Sequence, residues 1–310
     1  MIRWLVVGAG AVGRAHAAAI ARVEGASLAG FVSVDPIPDP GVPVFESLPA
    51  ALEALRPDAA VIATPHDTPR ALGAAALAAG VPTLFEKPVG RSTDDARALA
   101  ALARQRGVPA GAVLNQRACR HHAWIAGLVR DGRLRVSSVS FSGALARLGG
   151  WHADPARAGG GLLRTIGIPN VDLMRGWLGE AVAVQALLAG TPAEDRVVAA
   201  LRFAGGALGG LQLAATAPRS LGPMRAVIEA EGARLELNGH VLVRAEGVPE
   251  PPPAEAPDPG LAYGPGHLAV IRDATATLAA GRGFPVTIDD ALPALELVDR
   301  LYVAAARADP

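Results

Sequence analysis

Gly8-Ala9-Gly10-Ala11-Val12-Gly13 constrains the fold of this chain more than any other stretch. It follows the apolar run Trp4-Leu5-Val6-Val7 and precedes Arg14-Ala15-His16-Ala17-Ala18-Ala19-Ile20, which reads as a helix. In the order strand, glycine turn, helix, the first glycine permits a tight turn and the second lets backbone approach a pyrophosphate. The third lets helix pack on strand, with phosphates at the helix N-terminus. Gly8, Gly10, Ala11, Val12 and Gly13 are therefore candidate dinucleotide contacts. Glycine turns also join strands to helices with no ligand present, so the surrounding sequence has to decide.

At 310 residues the chain is long enough for two cores. The first third alternates strand and helix: strands at 28–33, 59–63, 83–85 and 109–114, helices at 47–55, 69–79 and 94–106. That grammar predicts a Rossmann-type, doubly wound parallel sheet, an α/β domain over residues 1–118. From about Arg133 the apolar period becomes two, in 136–141, 183–188, 197–203, 208–214, 226–230, 235–237 and 241–243. Those runs predict an α+β domain over 119–310, built on a large, mostly antiparallel sheet open on one face and liable to pair with a second copy as a homodimer or homotetramer. Helices are expected at 172–177, 267–280 and 290–308, the last able to pack back on the first domain. The proline-crowded stretch 246–260 reads as a surface loop.

Lys and Arg together number 29, as do Asp and Glu. No net field favours nucleic acid or an anionic membrane, and a small-molecule partner is expected instead. The single cysteine, Cys119, excludes an internal disulfide and suits a cytoplasmic location. No apolar stretch approaches the roughly 20 residues that span a bilayer.

Glu86-Lys87-Pro88, directly after an apolar strand, completes an ordered set of segments that resembles the glucose-fructose oxidoreductase, inositol dehydrogenase and MocA family (Gfo/Idh/MocA). The set comprises the glycine turn, Ala63-Thr64-Pro65, the Glu86 triplet, Asn115-Gln116-Arg117, Trp151 through Gly161, and Tyr263 with His267. The resemblance implies an NAD- or NADP-linked oxidoreductase, often acting on sugars or cyclitols. A lysine at a strand end beside a cofactor can hold a substrate hydroxyl and move its proton while hydride passes to the nicotinamide. Lys87 is that residue here; the alternative is a surface lysine paired with Glu86. Thr64, Pro65, Glu86 and Asn115 would line the cofactor crevice, and turn formation alone also accounts for Thr64 and Pro65.

Three departures from the family pattern stand out. Where relatives carry an aspartate and, four residues on, a histidine, this chain has Thr165 and Pro169, and proline cannot relay a proton. His152, after Trp151, is the candidate substitute acid/base, unless it caps a turn or bonds Asp154. Arg164 is a candidate for orienting a carboxylate, or else a solvated helix residue. The second departure follows strand 28–33: Ser33 occupies the acidic ribose position, and Pro36, Pro38, Pro40 and Pro43 rule out the usual helix. Ser33 would admit a 2'-phosphate and Asp35 could reach ribose hydroxyls, which leaves NAD and NADP undecided. The third is Pro69 in a position where relatives often have histidine; His66 either compensates or is merely solvated.

The expected activity is hydride transfer between a nicotinamide and a carbinol, carbonyl or imine carbon of a small polar substrate. Lys87 and His152 are the candidate catalytic residues, and Arg117, Trp151, His152, Arg164, Thr165, Asn170, Tyr263 and His267 the candidate substrate contacts. The competing expectation is a catalytically degenerate relative that binds a nucleotide or sugar as a sensor or scaffold. No metal is expected, since the adjacent His121 and His122 read as a helix start.

Overall fold

The computed structural model describes residues 1–256, 258, 260–261 and 264–307. The chain divides into two compact units, Met1–Asn115 with Pro257–Pro293, and Gln116–Ala256 with Ala294–Pro310. The sequence reading sets a boundary after residue 118 and lets the last helix pack back on the first domain; in this division residues 257–293 group with the first unit.

The first unit is built from β1 (Ile2–Val7), α1 (Ala11–Ile20), β2 (Ala26–Val32), β3 (Val44–Phe45), α2 (Leu48–Leu55), β4 (Ala59–Ile62), α3 (Pro69–Ala78), β5 (Thr83–Glu86), α4 (Thr93–Arg106) and β6 (Ala110–Val113). Its sheet runs β3-β2-β1-β4-β5-β6, every pair parallel. All four residues of β4 and the last four of β1 are buried, as strands covered on both faces require. Strand order reverses between β1 and β4, so the glycine turn after β1 opens at the switch point where such sheets bind ligands. The prolines after β2 do exclude a helix, and a bend there leads instead into β3, whose two residues carry no readable period. α4 shows why the alternation was legible. Ser92 caps it by accepting from the Asp95 N–H (3.2 Å), Asp94 and Asp95 sit in its first turn, Arg104 and Arg106 in its last, and Gly107 closes it at φ +65°.

The second unit holds α5 (Arg120–Arg130), β7 (Val136–Ala146), α6 (Pro155–Ala158), α7 (Ile168–Leu178), β8 (Ala181–Ala189), β9 (Arg196–Phe203), β10 (Leu208–Ala217), β11 (Arg225–Ala230), β12 (Ala233–Asn238) and β13 (Val241–Glu246). The sheet order is β13-β12-β11-β7-β10-β9-β8, antiparallel except where β7 meets β10. β9 alternates strictly: Val197, Ala199, Leu201 and Phe203 are buried, and Arg196, Val198, Ala200 and Arg202 exposed. The inner face packs on α7, where Trp177 stacks on Phe141 at 6.1 Å. α7 starts four residues before the expected 172 and takes Pro169 into its first turn, where a missing N–H costs nothing. A π-helical turn, Leu163–Gly167, leads into it. The stretch after β13 is irregular, as expected, and is also tied down. Pro252 and Pro253 carbonyls accept from His121 Nε2 (3.0 Å) and Arg120 Nη1 (3.1 Å), and the Glu255 carboxylate from the Arg120 N–H (3.2 Å). Pro257 and Pro259 of that stretch lie outside the described residues.

α8 (Gly266–Ala279) belongs to the first unit, a placement that local pattern does not carry. Its Ile271 and Ala274 share a core with Trp4, Val6 and Ile20, and Thr275 Oγ1 accepts from the Trp4 indole (3.1 Å). α9 (Ile288–Ala306) begins in the first unit and continues in the second; Ala308, its expected last residue, lies outside the described residues. Among the described residues no helix is long and apolar enough to cross a membrane.

Candidate cofactor and active site

The turn between β1 and α1 divides its glycines by task. Gly8 lies at φ +97°, and a Cβ there would come within 2.5 Å of the Ala63 carbonyl oxygen; one on Gly13 would fall 1.8 Å from the Gly8 oxygen. A Cβ on Gly10 would meet nothing within 4 Å. The loop is closed against the chain at two glycines and open at the third, the geometry that lets a pyrophosphate approach backbone. Gly10 caps α1 without a side chain, and the first turn holds no acidic residue, so the N–H groups at Ala11, Val12 and Gly13 present an anion-binding end. Arg14 braces the loop by donating to the Ala9 carbonyl (2.6 Å). Residues and cradle fit a dinucleotide.

Beyond β2, the Ser33 hydroxyl donates to the Asp35 carbonyl (2.7 Å) and accepts from the Asp35 N–H (3.2 Å). Ser33 is thereby engaged with backbone, while the Asp35 side chain is exposed. After β4, the Thr68 hydroxyl donates to the Pro65 carbonyl (2.8 Å) and lies 2.7 Å from that of Thr64, which fixes the turn carrying both. His66, a candidate for simple solvation, is buried.

Four polar side chains meet at the end of β5. Glu86 Oε1 accepts from His16 Nε2 (2.8 Å) and His267 Nε2 (3.1 Å), and Oε2 from the Lys87 N–H (3.1 Å). His267 Nδ1 accepts from the Asn115 amide (3.3 Å), so both imidazoles carry their proton on Nε2. Burial pushes the His16 pKa down against the pull of Glu86. Burial also works to raise the Glu86 pKa, but the hydrogen bonds from the two histidines outweigh it and hold the carboxyl well below its usual range. The half-buried Lys87 has its pKa lowered by burial, with the Glu86 charge opposing. The polar side-chain atoms of His16, Glu86 and His267 lie within 4.8 Å of one another and are joined by hydrogen bonds. The composition holds a further clue: Lys87 is the sole lysine among the 29 basic residues, all others being arginine.

In the second unit, the candidate substrate residues have other attachments. Arg117 forks onto Asp172 of α7 through Nε (2.7 Å) and Nη2 (2.5 Å), and Asp172 is 1% exposed. Trp151 and His152 stack with ring centroids 3.6 Å apart, both part-exposed, while Asp154 caps α6 by accepting from the Ala156 N–H (2.9 Å). Arg164 is buried rather than solvated: Nη2 donates to Asp299 (2.5 Å), and the guanidinium lies over the Tyr302 ring. Thr165 is buried in the π-helical turn, and the Asn170 amide donates to the Ile166 carbonyl (3.0 Å). Tyr263 lies outside the described residues.

The family model described as the oxidoreductase family with an NAD-binding Rossmann fold, GFO_IDH_MocA, matches residues 2–112, and that of the GFO/IDH/MocA C-terminal domain matches residues 128–239. The chain belongs to the GFO/IDH/MocA family. Its cofactor is accordingly a nicotinamide dinucleotide, NAD or NADP. The 1,5-anhydro-D-fructose reductase of Ensifer adhaerens is 25% identical over 225 residues, 67% of this chain and 68% of that one. GenD2 from gentamicin A biosynthesis, solved with NAD, superposes with a TM-score of 0.83 at 26% identity, covering 99% of this chain and 95% of its own. The WlbA dehydrogenase of Bordetella pertussis, solved with NADH and UDP-GlcNAcA, reaches a TM-score of 0.85 over 99% of this chain and 96% of its own. At 23% identity that likeness is one of fold.

Two residues escape a local reading of this GFO/IDH/MocA sequence. His16 sits among alanines in α1, and its signal is position: three residues after Gly13 and four before Ile20, on the buried face. Glu194, between β8 and β9, accepts from the Gly161 N–H (2.8 Å), the Leu163 N–H (3.1 Å) and the Tyr302 hydroxyl (2.6 Å), and so anchors the glycine triplet. No local pattern marks it.

Proposed function

We propose that this protein is an NAD(P)-dependent oxidoreductase that moves hydride between the nicotinamide and a carbonyl, carbinol or imine carbon of a small sugar- or cyclitol-like substrate. The observation that carries the reading is Lys87. An arginine cannot release its proton near neutral pH, whereas a half-buried lysine can. A chain with arginine at every other basic position has its one lysine at the carboxyl end of a central parallel strand, next to a carboxylate held by three N–H donors. The bound dinucleotide supplies or accepts the hydride. Lys87 Nζ gives a proton to the substrate oxygen or nitrogen as the carbon is reduced, and takes it back in the oxidation. Asn115 and the Thr64–Pro65 turn line the cofactor side. Trp151, His152, Arg117, Arg164, Thr165, Asn170, Tyr263 and His267 remain the substrate-side assignments, with His152 as a second proton carrier.

Thr165 and Pro169 favour substrates that need little further acid/base help, such as conjugated carbonyls and imines, and they are also the basis of a sensor or scaffold reading. The open Gly10 cradle and Lys87 support the enzyme. The exposed sheet face bearing Val182, Leu187, Val198 and Leu208 supports assembly with further copies of the chain in a cytoplasmic oligomer, measurable by light scattering. The test is a titration with NADH and with NADPH by nicotinamide fluorescence. It is followed by a screen of keto sugars and cyclic imines, beginning with 1,5-anhydro-D-fructose, for cofactor oxidation. Saturable binding of one nucleotide and turnover of one class is expected; folded protein that binds neither overturns the reading.

A further inference from the structure

We infer that Asn115, His267, Glu86 and His16 form a positioning chain for Lys87, which fixes the lysine backbone and sets the charge beside its amine. The inference rests on the reading of Lys87 as the proton-handling residue. Asn115 donates to His267, His267 and His16 both donate to Glu86 Oε1, and Oε2 receives the Lys87 N–H. Each carboxylate oxygen is thus engaged, and three N–H donors leave the group a single orientation. Packing alone does not call for this arrangement. α1 and α8 are already joined to the sheet by Ile20, Ile271 and Ala274, and apolar residues could replace a buried ionic cluster at little or no cost in stability.

The chain draws on four elements: α1, whose first turn is the cofactor cradle, β5, the end of β6, and α8. Of their titratable groups, Glu86 acts on the Lys87 amine by its charge, and His16 and His267 are joined to Glu86, while Asn115 is uncharged. The negative charge of the cluster is the Glu86 carboxylate. That charge opposes the effect of burial on the adjacent amine. Glu86, His16 and His267 act through Lys87 and need not touch substrate.

The uniqueness of Lys87 makes the test direct. Lysine labelled with 13C at Cε, incorporated biosynthetically into the full chain, gives a single side-chain resonance whose pH titration belongs to Lys87. In Glu86→Gln, which keeps shape and loses charge, that titration is expected to move down by about one pH unit or more. A folded Glu86→Gln protein that titrates as wild type overturns the inference. If Glu86→Gln does not fold, His267→Leu is read in the same way. Loss of a donor leaves the carboxylate charge less offset, so Lys87 titrates higher, and His267→Gln, which retains an N–H donor, restores it. A folded His267→Leu protein with the wild-type titration contradicts the inference. A fully active Lys87→Ala enzyme would remove the proposed function without altering this titration, so the two failures are distinguishable.

Discussion

The two units bury polar side chains to different ends. In the nucleotide-binding unit, His16, His267 and Asn115 converge on Glu86, and through it on Lys87, a group that can gain and lose a proton. In the sheet unit, Arg117 is bound to Asp172, Arg164 to Asp299, and Glu194 to two backbone N–H groups and Tyr302. Those contacts join helices and loops to one another, and where the family pattern has a proton-relaying pair this chain has Thr165 and Pro169. On the proposed function, polar burial in the first unit serves the Lys87 amine, while in the second it ties elements of the fold together.

If that contrast is right, the largest stability effects come from the sheet unit. Arg117→Ala leaves Asp172 buried without its cation and should cost about 3 kcal/mol or more in urea unfolding. The double variant Arg117→Leu/Asp172→Leu should recover much of that loss, because it removes the stranded charge as well. A double variant as unstable as the single one would show that the pair does more than join α7 to the segment before α5.

A comparable effect is expected from pH. Burial pulls the His122 pKa down to about 4, against an ordinary 6.5. The unfolded chain therefore takes up a proton near pH 6.5 that the folded chain refuses until about 4. Its contribution to stability is full above pH 6.5 and is lost as the pH falls to 4, by about 3 kcal/mol at the end of that window. His122→Gln should flatten the dependence of the urea midpoint between pH 6.5 and 4, and parallel curves for wild type and variant would contradict the assignment.

How much of this was legible in the sequence differs between units for a physical reason. The glycine turn, the strand and helix alternation and the period-two runs are local signals, and the elements they predict are present. Capped α4 and alternating β9 are the clearest examples. Lys87 is singled out by its place after an apolar strand together with the family resemblance. The partners of Glu86 lie 70 and 181 residues away, and nothing in a short window announces such meetings. The same holds for α8, which joins the first unit, and for Arg164 and Glu194, whose attachments exist only once α9 and the β8–β9 connection have folded. α7 begins four residues before the expected 172, with Pro169 in its first turn, a position that favours proline.

The central claim, that a releasable proton at residue 87 carries the chemistry, is tested most directly by Lys87→Arg. Hydride transfer should be measured under single-turnover conditions with the substrate found by the screen, beside Lys87→Ala and a titration of cofactor binding. The account predicts that both variants bind cofactor within about 3-fold of wild type and lose roughly 100-fold or more in rate, because charge without a transferable proton does not suffice. An arginine variant that turns over at the wild-type rate would contradict it.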